Sequence, residues 1–252
     1  TLLNLNLYRD KVLSYYLMNN QGSYYITGAN SSGITPIEGK PVYAMMSYQW
    51  GGIDPQNGDP LGVLNKEPSK DYRSITGSGT GVDDLVYSGR VMPSVFGSVE
   101  SILSLKNLSL SMVFTYKLGY YFRRTSIRYS SLFSGYDGHS DFTRRWRNPG
   151  DEALTSIPSL SYPAISSRDD LFNGSEILVR KGDHVRLQYI NLSYTISKLA
   201  ASKLRLENAQ LYMIVNNIGI IWRKNREKID PDFPERTLLS GRSTSVGLRV
   251  KF

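Results

Sequence analysis

The sequence of 252 residues contains no cysteine, which excludes disulfide frameworks, thiolate metal sites and cysteine nucleophiles. It also lacks any run of about 18 apolar residues, so we expect no transmembrane helix. A membrane location stays open, because the strands of a transmembrane β-barrel alternate and their hydropathy averages out. No secretory signal peptide is visible, and residues 1–8 already alternate as a strand does. We therefore expect this chain to be part of a longer protein.

Charge and composition narrow the class further. The formal net charge is +8, and tyrosine, with 18 residues, outnumbers phenylalanine and tryptophan together, which suits β-strands. A nucleic-acid surface needs a contiguous basic patch. The densest basic clusters, Arg123 with Arg124 and residues 144–147, fall in segments that resemble loops, and the other basic residues are scattered. We expect solvated or lumen-lining charge and no nucleic-acid partner.

Residues 108–122 carry the clearest structural pattern in the chain. Eight apolar residues occupy the even positions, and mostly small or polar residues occupy the odd ones. A strand places successive side chains on opposite faces, so this segment has one apolar and one polar face. It is longer than the usual strand of about 5–6 residues. About 9–11 tilted residues are enough to cross a bilayer, so its length favours a membrane barrel over a sandwich.

The last strand has the same two faces. Val246, Leu248, Val250 and Phe252 alternate with polar or small residues up to the last residue given. Barrel-closing strands combine a lipid face with a lumen face in this way. The spacing of four residues resembles the terminal signal read by the bacterial barrel-assembly machinery: Ser245, Gly247, Val250 and Phe252. An ordinary amphipathic edge strand is the alternative interpretation of this segment alone.

Alternation and turn residues together predict about seven strands. The segments are residues 2–8, 12–17, 94–105, 108–122, 184–196, 203–216 and 242–252. The predicted connections between them are alternately short (9–11, 106–107, 197–202) and long (18–93, 124–183, 217–241). Outer-membrane barrels have short periplasmic turns and long extracellular loops, so this parity favours a barrel.

Candidate chemical sites are weak. His139, Ser140 and Asp141 are triad residue types, but catalytic triads are assembled in space from separate segments rather than from neighbours in sequence. Four aspartates of the long loops have no EF-hand spacing: Asp54, Asp59, Asp83 and Asp84. Five loop aromatics could stack on sugar rings or pack the loops together: Tyr43, Tyr48, Trp50, Tyr136 and Trp146. We predict no catalytic residues, no metal site and no cofactor, and we assign no substrate-binding residue.

Several of these segments resemble blocks of one family. They are residues 41–62, residues 148–151 (Asn-Pro-Gly-Asp), residues 181–194, Asn216 with Asn217, and residues 246–252. Together they resemble the SusC/RagA family of TonB-dependent outer-membrane transporters, in family order over most of the chain. Two details depart from the family pattern. Asn216-Asn217-Ile218 stands where an Asn-Leu pair is usual, and His184 occupies a position that is often aromatic.

The resemblance implies an all-β fold, an antiparallel transmembrane β-barrel segment of about seven strands out of 22. Residues 1–252 would be the carboxy-terminal portion of the barrel, and the plug and amino-terminal domains would lie outside this chain. We predict that the protein is not an enzyme. The function that the resemblance implies is active import of oligosaccharides or oligopeptides across the outer membrane of Bacteroidetes-type bacteria.

The resemblance also implies partners. A SusD-like surface lipoprotein would close over the substrate as a lid, and TonB would act through the plug. The other partners that the resemblance implies are the barrel-assembly machinery and outer-membrane lipid. The alternative function is a soluble or surface-anchored β-rich carbohydrate-binding module without transport activity.

Overall fold

A computed structural model describes residues 1–17, 19–28, 34–136, 138–196, 206–234 and 241–251. Within these residues the strands are β1 (Leu2–Leu7), β2 (Ala44–Ser47), β3 (Trp50–Ile53), β4 (Pro60–Leu64), β5 (Glu67–Ser69), β6 (Val86–Arg90), β7 (Val95–Leu105), β8 (Leu108–Leu118), β9 (Tyr121–Arg123), β10 (Val179–Lys181), β11 (His184–Thr195), β12 (Asn208–Arg223) and β13 (Ser243–Lys251). The α-helices are α1 (Ser23–Gly28), α2 (Tyr72–Thr76), α3 (Tyr129–Phe133) and α4 (Ser166–Gly174). Single 3₁₀ turns cover Val82–Asp84, Ser140–Arg144, Asp151–Ala153 and Glu176–Leu178. No described helix is long and apolar enough to cross a membrane.

The chain divides into two compact units. The sheet unit comprises residues 1–8, 93–120 and 181–252, and the loop unit comprises residues 9–92 and 121–180. The six long strands form one sheet in the order β1-β7-β8-β11-β12-β13, and every neighbouring pair is antiparallel. The predicted all-β antiparallel fold is thereby confirmed.

The alternation of apolar and polar residues in the sequence predicts most of these strands at the positions where the structure has them. The two-residue turn at Lys106 and Asn107 joins β7 to β8, and Leu105 pairs with Leu108 across it. Lys106 has a φ of 53°. The predicted strand 108–122 ends earlier, at Leu118, because Gly119 adopts a φ of 74° and turns the chain.

The predicted strand at residues 12–17 is wrong. These residues form no regular element in the structure. The Asp10 carboxylate accepts a hydrogen bond from the Val42 backbone N–H at 2.7 Å and pairs with Arg90 at 3.0 Å. Residues 9–11 are therefore fastened to the loop unit instead of forming a hairpin turn. The described sheet has six strands rather than seven, and β1 pairs with β7 across the long connection 8–94.

Short and long connections still alternate along the chain after this correction. Long connections at 8–94, 119–183 and 224–242 alternate with the turn at 106–107 and the connection 196–207. The predicted turn 197–202 and the start of the predicted strand 203–216 lie outside the described residues. Beyond Asn216, β12 continues to Arg223 through an irregular stretch, in which Asn217 and Gly219 have φ values of 52° and 130°.

The loop unit has its own hydrophobic cores. One cluster is formed by buried residues of α1, β2, α2 and α4 together with Tyr48 and Leu85: Tyr25, Ile26, Ala44, Met46, Tyr48, Tyr72, Ile75, Leu85 and Leu171. A second cluster consists of Ile127, Tyr129, Ile157, Phe172 and Leu178. Burial of aromatic and aliphatic side chains gives this unit the packing of an ordinary globular domain.

A glycine permits the close approach of three strands in the sheet unit. Gly97 of β7 pairs with Leu5 of β1 on one side and with Tyr116 of β8 on the other. The Tyr116 hydroxyl donates a hydrogen bond to the Asn4 carbonyl oxygen at 2.8 Å. A methyl group at Gly97 would overlap that carbonyl oxygen and the Tyr116 hydroxyl.

We predict that Gly97→Ala lowers the free energy of unfolding by about 1–3 kcal/mol, because the overlap forces backbone shifts. Thermal unfolding followed by circular dichroism measures this change. Gly241→Ala is the matched control, since an added methyl group there meets no heavy atom within 4 Å. Equal unfolding temperatures for the two variants would contradict the close approach at Gly97.

Candidate functional site

The register of the sheet assigns its side chains to two faces, because directly paired residues share a face. The apolar face carries Leu3, Leu5, Leu7, Val95, Val99, Leu103, Leu105, Leu108, Leu110, Met112, Phe114, Tyr116, Leu118, Val185, Leu187, Ile190, Leu192, Tyr194, Leu211, Met213, Val215, Val246, Leu248 and Val250. Many of these side chains are solvent-exposed in this chain; Leu105 is 73% exposed and Val246 is 69% exposed. The apolar face therefore continues across all six strands, and no core formed by the described residues covers it.

The opposite face is mainly polar. It carries Asn4, Asn6, Ser98, Glu100, Ser109, Ser111, Thr115, Lys117, His184, Arg186, Tyr189, Asn191, Ser193, Gln210, Tyr212, Asn216, Arg223, Ser245 and Arg249. Six apolar residues interrupt it: Leu2, Phe96, Ile102, Val113, Ile214 and Ile220. The sheet therefore has one predominantly apolar and one predominantly polar face.

A charged cluster lies on the polar face, at the end of the sheet where the long connections begin. Lys117 of β8 pairs directly with His184 of β11, and Arg186 lies two residues further along β11. Two carboxylates from residues 224–234, which follow β12, contact these side chains. Asp232 accepts from Lys117 Nζ at 2.7 Å, and Asp230 accepts from Arg186 at 2.6 and 2.8 Å.

Asp232 is the centre of this cluster. Its second carboxylate oxygen lies 3.3 Å from the Arg186 guanidinium and 3.4 Å from Nε2 of the buried His184. Nδ1 of His184 lies 2.8 Å from the Gly182 carbonyl oxygen. Burial raises the pKa of the Asp232 carboxyl, but hydrogen bonds from His184 and Lys117 outweigh that effect and hold the pKa well below its usual range.

The rest of the 224–234 segment is also tied down. Asn225 accepts from the Ile229 backbone N–H at 2.9 Å and donates to the Ile229 carbonyl oxygen at 3.0 Å. The Lys224 backbone N–H donates to the Asp183 carbonyl oxygen at 2.9 Å. Residues 224–234 therefore form an ordered strap against the polar face, held by charge at Asp230 and Asp232. We refer to these residues as the strap.

The basic cluster at Arg123 and Arg124 differs from the solvated charge that the sequence predicts. Both side chains are buried in the loop unit. Arg124 donates to the fully buried Asp141 at 2.5 Å, and Ser126 donates to the same carboxylate. Arg123 donates to Ser47 Oγ at 3.0 Å and to backbone carbonyls, and burial lowers its pKa to about 10. These charges stabilise the loop fold.

Of the five loop aromatics, three pack within the loop unit and two are exposed to solvent. Tyr48 and Trp146 are buried, and Trp50 packs against Phe172 with ring centroids 5.8 Å apart. Trp146 also donates to Glu152 at 3.0 Å. Tyr43 and Tyr136 are exposed, the latter by 73%. Packing therefore accounts for three of the five.

Three aspartates of catalytic or metal-binding type, Asp54, Asp59 and Asp141, have structural partners. Asp141 is committed to Arg124 and Ser126, while its backbone N–H donates to His139 Nδ1 at 3.1 Å. Asp54 and Asp59 both form ion pairs with Lys70, and Asp59 also pairs with Arg168 at 2.9 Å. Among the residues that the structure describes, no group of three or more His, Asp or Glu side chains is placed to hold a metal ion.

The proposed assembly signal stays a prediction. Ser245, Gly247 and Val250 lie on β13, with Val250 on the apolar face, and Phe252 lies outside the described residues. Gly247 pairs directly with Tyr212, whose ring occupies the space that a side chain at position 247 would need. The level of a Phe252→Ala variant in the outer membrane would test the signal.

We predict that Asp232→Asn loosens the strap more than Asp230→Asn, because Asp232 contacts three cationic or imidazole groups and Asp230 contacts one. Loss of a hydrogen bond to a charged group costs about 1.5–3 kcal/mol. Hydrogen exchange of the strap amides, corrected for intrinsic rates, measures the loosening at pH 7.

The effect of Asp232→Asn on hydrogen exchange of the strap should depend on pH. The pKa of Asp232 is depressed in the folded protein, so its contribution is present above the ordinary carboxyl pKa of about 4 and is lost as pH falls below that value. The difference between wild type and Asp232→Asn should shrink between pH 5 and pH 3, two values chosen to bracket that ordinary pKa. A difference that stays constant over this range would show that Asp232 does not hold the strap through its charge.

The chain is similar to solved transporter structures. No protein-family model and no curated protein matches the sequence. A structure of the RagAB peptide transporter matches with a TM-score of 0.56 and 18% identity, over 78% of this chain and 20% of that one. The RagAB peptide importer in the open-open state matches with a TM-score of 0.57 and 17% identity, over 82% and 22%, and the closed-closed state with 0.52 and 18%, over 75% and 20%. This chain spans about a fifth of the length of those chains. It therefore has the fold of one part of the RagAB transporter chains, which confirms the SusC/RagA resemblance at the level of the fold.

Proposed function

We propose that this chain forms the carboxy-terminal wall of the β-barrel of a TonB-dependent outer-membrane importer. The observation that carries the proposal is the exposed apolar face of the six-stranded sheet, opposite a polar face. In a bilayer the apolar face would contact lipid and the polar face would line the lumen. In water, an exposed apolar surface of this extent would drive aggregation.

Strand length supports the same proposal. The strands β7, β8 and β11 have 11, 11 and 12 residues. A rise of about 3.3 Å per residue gives each a length of about 36–40 Å. With a tilt of about 45° this length spans about 25–28 Å, which matches the apolar band of outer-membrane barrels.

The connections give the sheet a direction. The three long connections leave and re-enter the sheet at the same strand ends, where the charged cluster of Lys117, His184, Arg186 and Asp232 is found. The two-residue turn at 106–107 lies at the other end. Long loops are extracellular and short turns periplasmic in these barrels. The strap would therefore lie at the extracellular mouth of the lumen, and β13 would descend toward the periplasm.

Oligopeptides are the substrates that we propose, with oligosaccharides as the alternative that the sequence left open. The similar solved structures are of a peptide transporter, which favours peptides for this chain as well. By the same likeness we propose a SusD-like surface lipoprotein as lid. TonB would act through a plug region of the longer protein, and the barrel-assembly machinery would insert the wall into the outer membrane.

The carbohydrate-binding module is the less favoured alternative. A module that works in water buries its apolar strand faces in a core, whereas here they are exposed across all six strands. The buried positions of Tyr48 and Trp146 also remove two of the aromatic side chains that could stack on sugars.

Uptake by cells tests the proposed function. Cells that express the full-length protein are compared with cells that lack its gene, using fluorescent oligopeptides and fluorescent oligosaccharides. We predict that deletion of the gene reduces oligopeptide uptake to the background level and that deletion of tonB has the same effect. Surface exposure of the long loops to added protease provides an independent check of location.

The outcomes separate the candidates. If deletion of the gene abolishes only oligosaccharide uptake, the protein is an importer of oligosaccharides rather than of oligopeptides. Unchanged uptake of both substrates, with the intact protein recovered as a monomer in detergent-free buffer, would reject the importer in favour of the carbohydrate-binding module.

A further inference from the structure

His184 is a buried histidine at the start of β11, on the polar face of the sheet, and it is only 1% exposed. Each of its ring nitrogens faces oxygen atoms. Nδ1 lies 2.8 Å from the Gly182 carbonyl oxygen and 3.2 Å from the Tyr120 hydroxyl, and Nε2 lies 3.4 Å from the Asp232 carboxylate. The strap therefore meets the sheet at an imidazole ring.

These contacts define which nitrogens of His184 carry a proton. A carbonyl oxygen can only accept a hydrogen bond, so Nδ1 donates to Gly182. Burial raises the pKa of Asp232, but hydrogen bonds hold it well below its usual range, so this carboxylate is ionised and also only accepts. A neutral imidazole has one N–H and would turn a lone pair toward one of these two oxygens. The arrangement therefore fits the doubly protonated imidazolium form of His184.

Charged groups surround His184 on the elements that pack against it. They are Lys117 on β8, Arg223 on β12, Arg186 on β11, Asp183 just before β11, and Lys224, Asp230 and Asp232 of the strap. Each of the cations contacts an oxygen of the strap or of Asp183, so its charge is compensated locally. The imidazolium therefore adds a charge that Asp232 can accept.

Tyr120 is a titratable neighbour that stays uncharged. Burial raises the pKa of its hydroxyl, and the negative charges of nearby aspartates raise it further. Lysine and arginine side chains ordinarily keep their charge up to about pH 10, whereas histidine ordinarily titrates near about pH 6.5. Histidine is therefore the residue type in this cluster that changes charge between about pH 5 and about pH 8.

We propose that His184 is a proton-dependent latch for the strap: its imidazolium holds Asp232 against the polar face, and loss of the proton weakens that hold. The latched form carries a proton that the released form gives up as the pH rises, so a rising pH favours release. Protonation of Asp232 itself weakens the strap below about pH 4. The strap is therefore most strongly held between about pH 4 and about pH 6.5.

The latch goes beyond the proposed function and does not depend on it. Its residues and contacts lie within the sheet unit, whatever the protein transports. In the proposed orientation the strap lies at the extracellular mouth of the lumen, so the latch would respond to the pH outside the cell. Only that location rests on the proposed function.

Hydrogen exchange of residues 224–234 in the purified full-length protein in detergent tests the latch. Exchange is measured at about pH 5.5 and about pH 8.5, which bracket the ordinary histidine pKa, and is corrected for intrinsic rates. We expect strap protection to fall about threefold to tenfold at the higher pH, as the loss of one charged contact implies. Helix α4 of the loop unit is the internal reference, and its protection should stay constant.

Matched variants assign the pH effect to one residue. His184→Gln keeps an N–H group for Asp232 but does not titrate, so its strap protection should be equal at both pH values. Asp232→Asn loosens the strap and should also remove the pH effect, because the amide can turn either its oxygen or its nitrogen toward Nε2. His139→Gln replaces the other histidine of the chain and should retain the wild-type pH effect.

Two results would overturn the latch. One is equal strap protection of the wild-type protein at both pH values, and the other is a pH effect that persists in His184→Gln. If His184→Gln does not fold, Asp232→Asn decides in its place, since a pH effect that persists there also rejects the latch. Uptake by cells is a separate measurement: the importer can fail while the latch holds, and the latch can fail while oligopeptide uptake holds.

Discussion

Alternation of apolar and polar side chains, maintained in register across six strands, is the constraint on which the rest of the structure depends. One face carries leucine, valine, isoleucine, methionine and aromatic residues, and many of these side chains are exposed or only half-buried. At about 25 cal/mol per Å² of apolar surface, leaving such a face in water is very unfavourable. The sheet therefore requires a nonpolar environment, and its polar face requires an aqueous one. A membrane barrel meets both requirements.

The loop unit is stabilised by burial of its own side chains. It buries two clusters of apolar residues and several ionised groups, among them the ion pair of Arg124 with Asp141. This packing holds the long connections in a defined conformation. The strap adds a second ordered feature within the sheet unit, because Asp230 and Asp232 neutralise the cations of β8 and β11.

Local patterns predicted much of the sheet and little of the site. The period-two alternation of 108–118 and the turn at Lys106 and Asn107 need only neighbouring residues, so the sequence reveals them. The wrong strand at 12–17 contains the valine and tyrosine residues that strands favour, but Asp10 binds partners 32 and 80 residues away, and no local signal shows this.

Long-range contacts also explain what the sequence missed at the candidate site. Arg123 and Arg124 look like loop charges until β2 and Asp141 surround them. Asp232 lies in a Pro-rich loop, and its partners Lys117 and Arg186 are 115 and 46 residues away. The two adjacent aspartates at 83 and 84 are indistinguishable in sequence, and the structure shows that Asp84 accepts a hydrogen bond from the Gly81 backbone N–H.

The most direct test of the central claim is a position-by-position measurement of the environment along β8. The chain has no cysteine, so single cysteines at positions 109–115 can carry a spin label in the full-length protein in bilayers. We predict that labels at Leu110, Met112 and Phe114 are relaxed by lipid-soluble oxygen, and labels at Ser109, Ser111 and Thr115 by a water-soluble nickel complex. Equal access of the nickel complex to both series would contradict a lipid-facing wall.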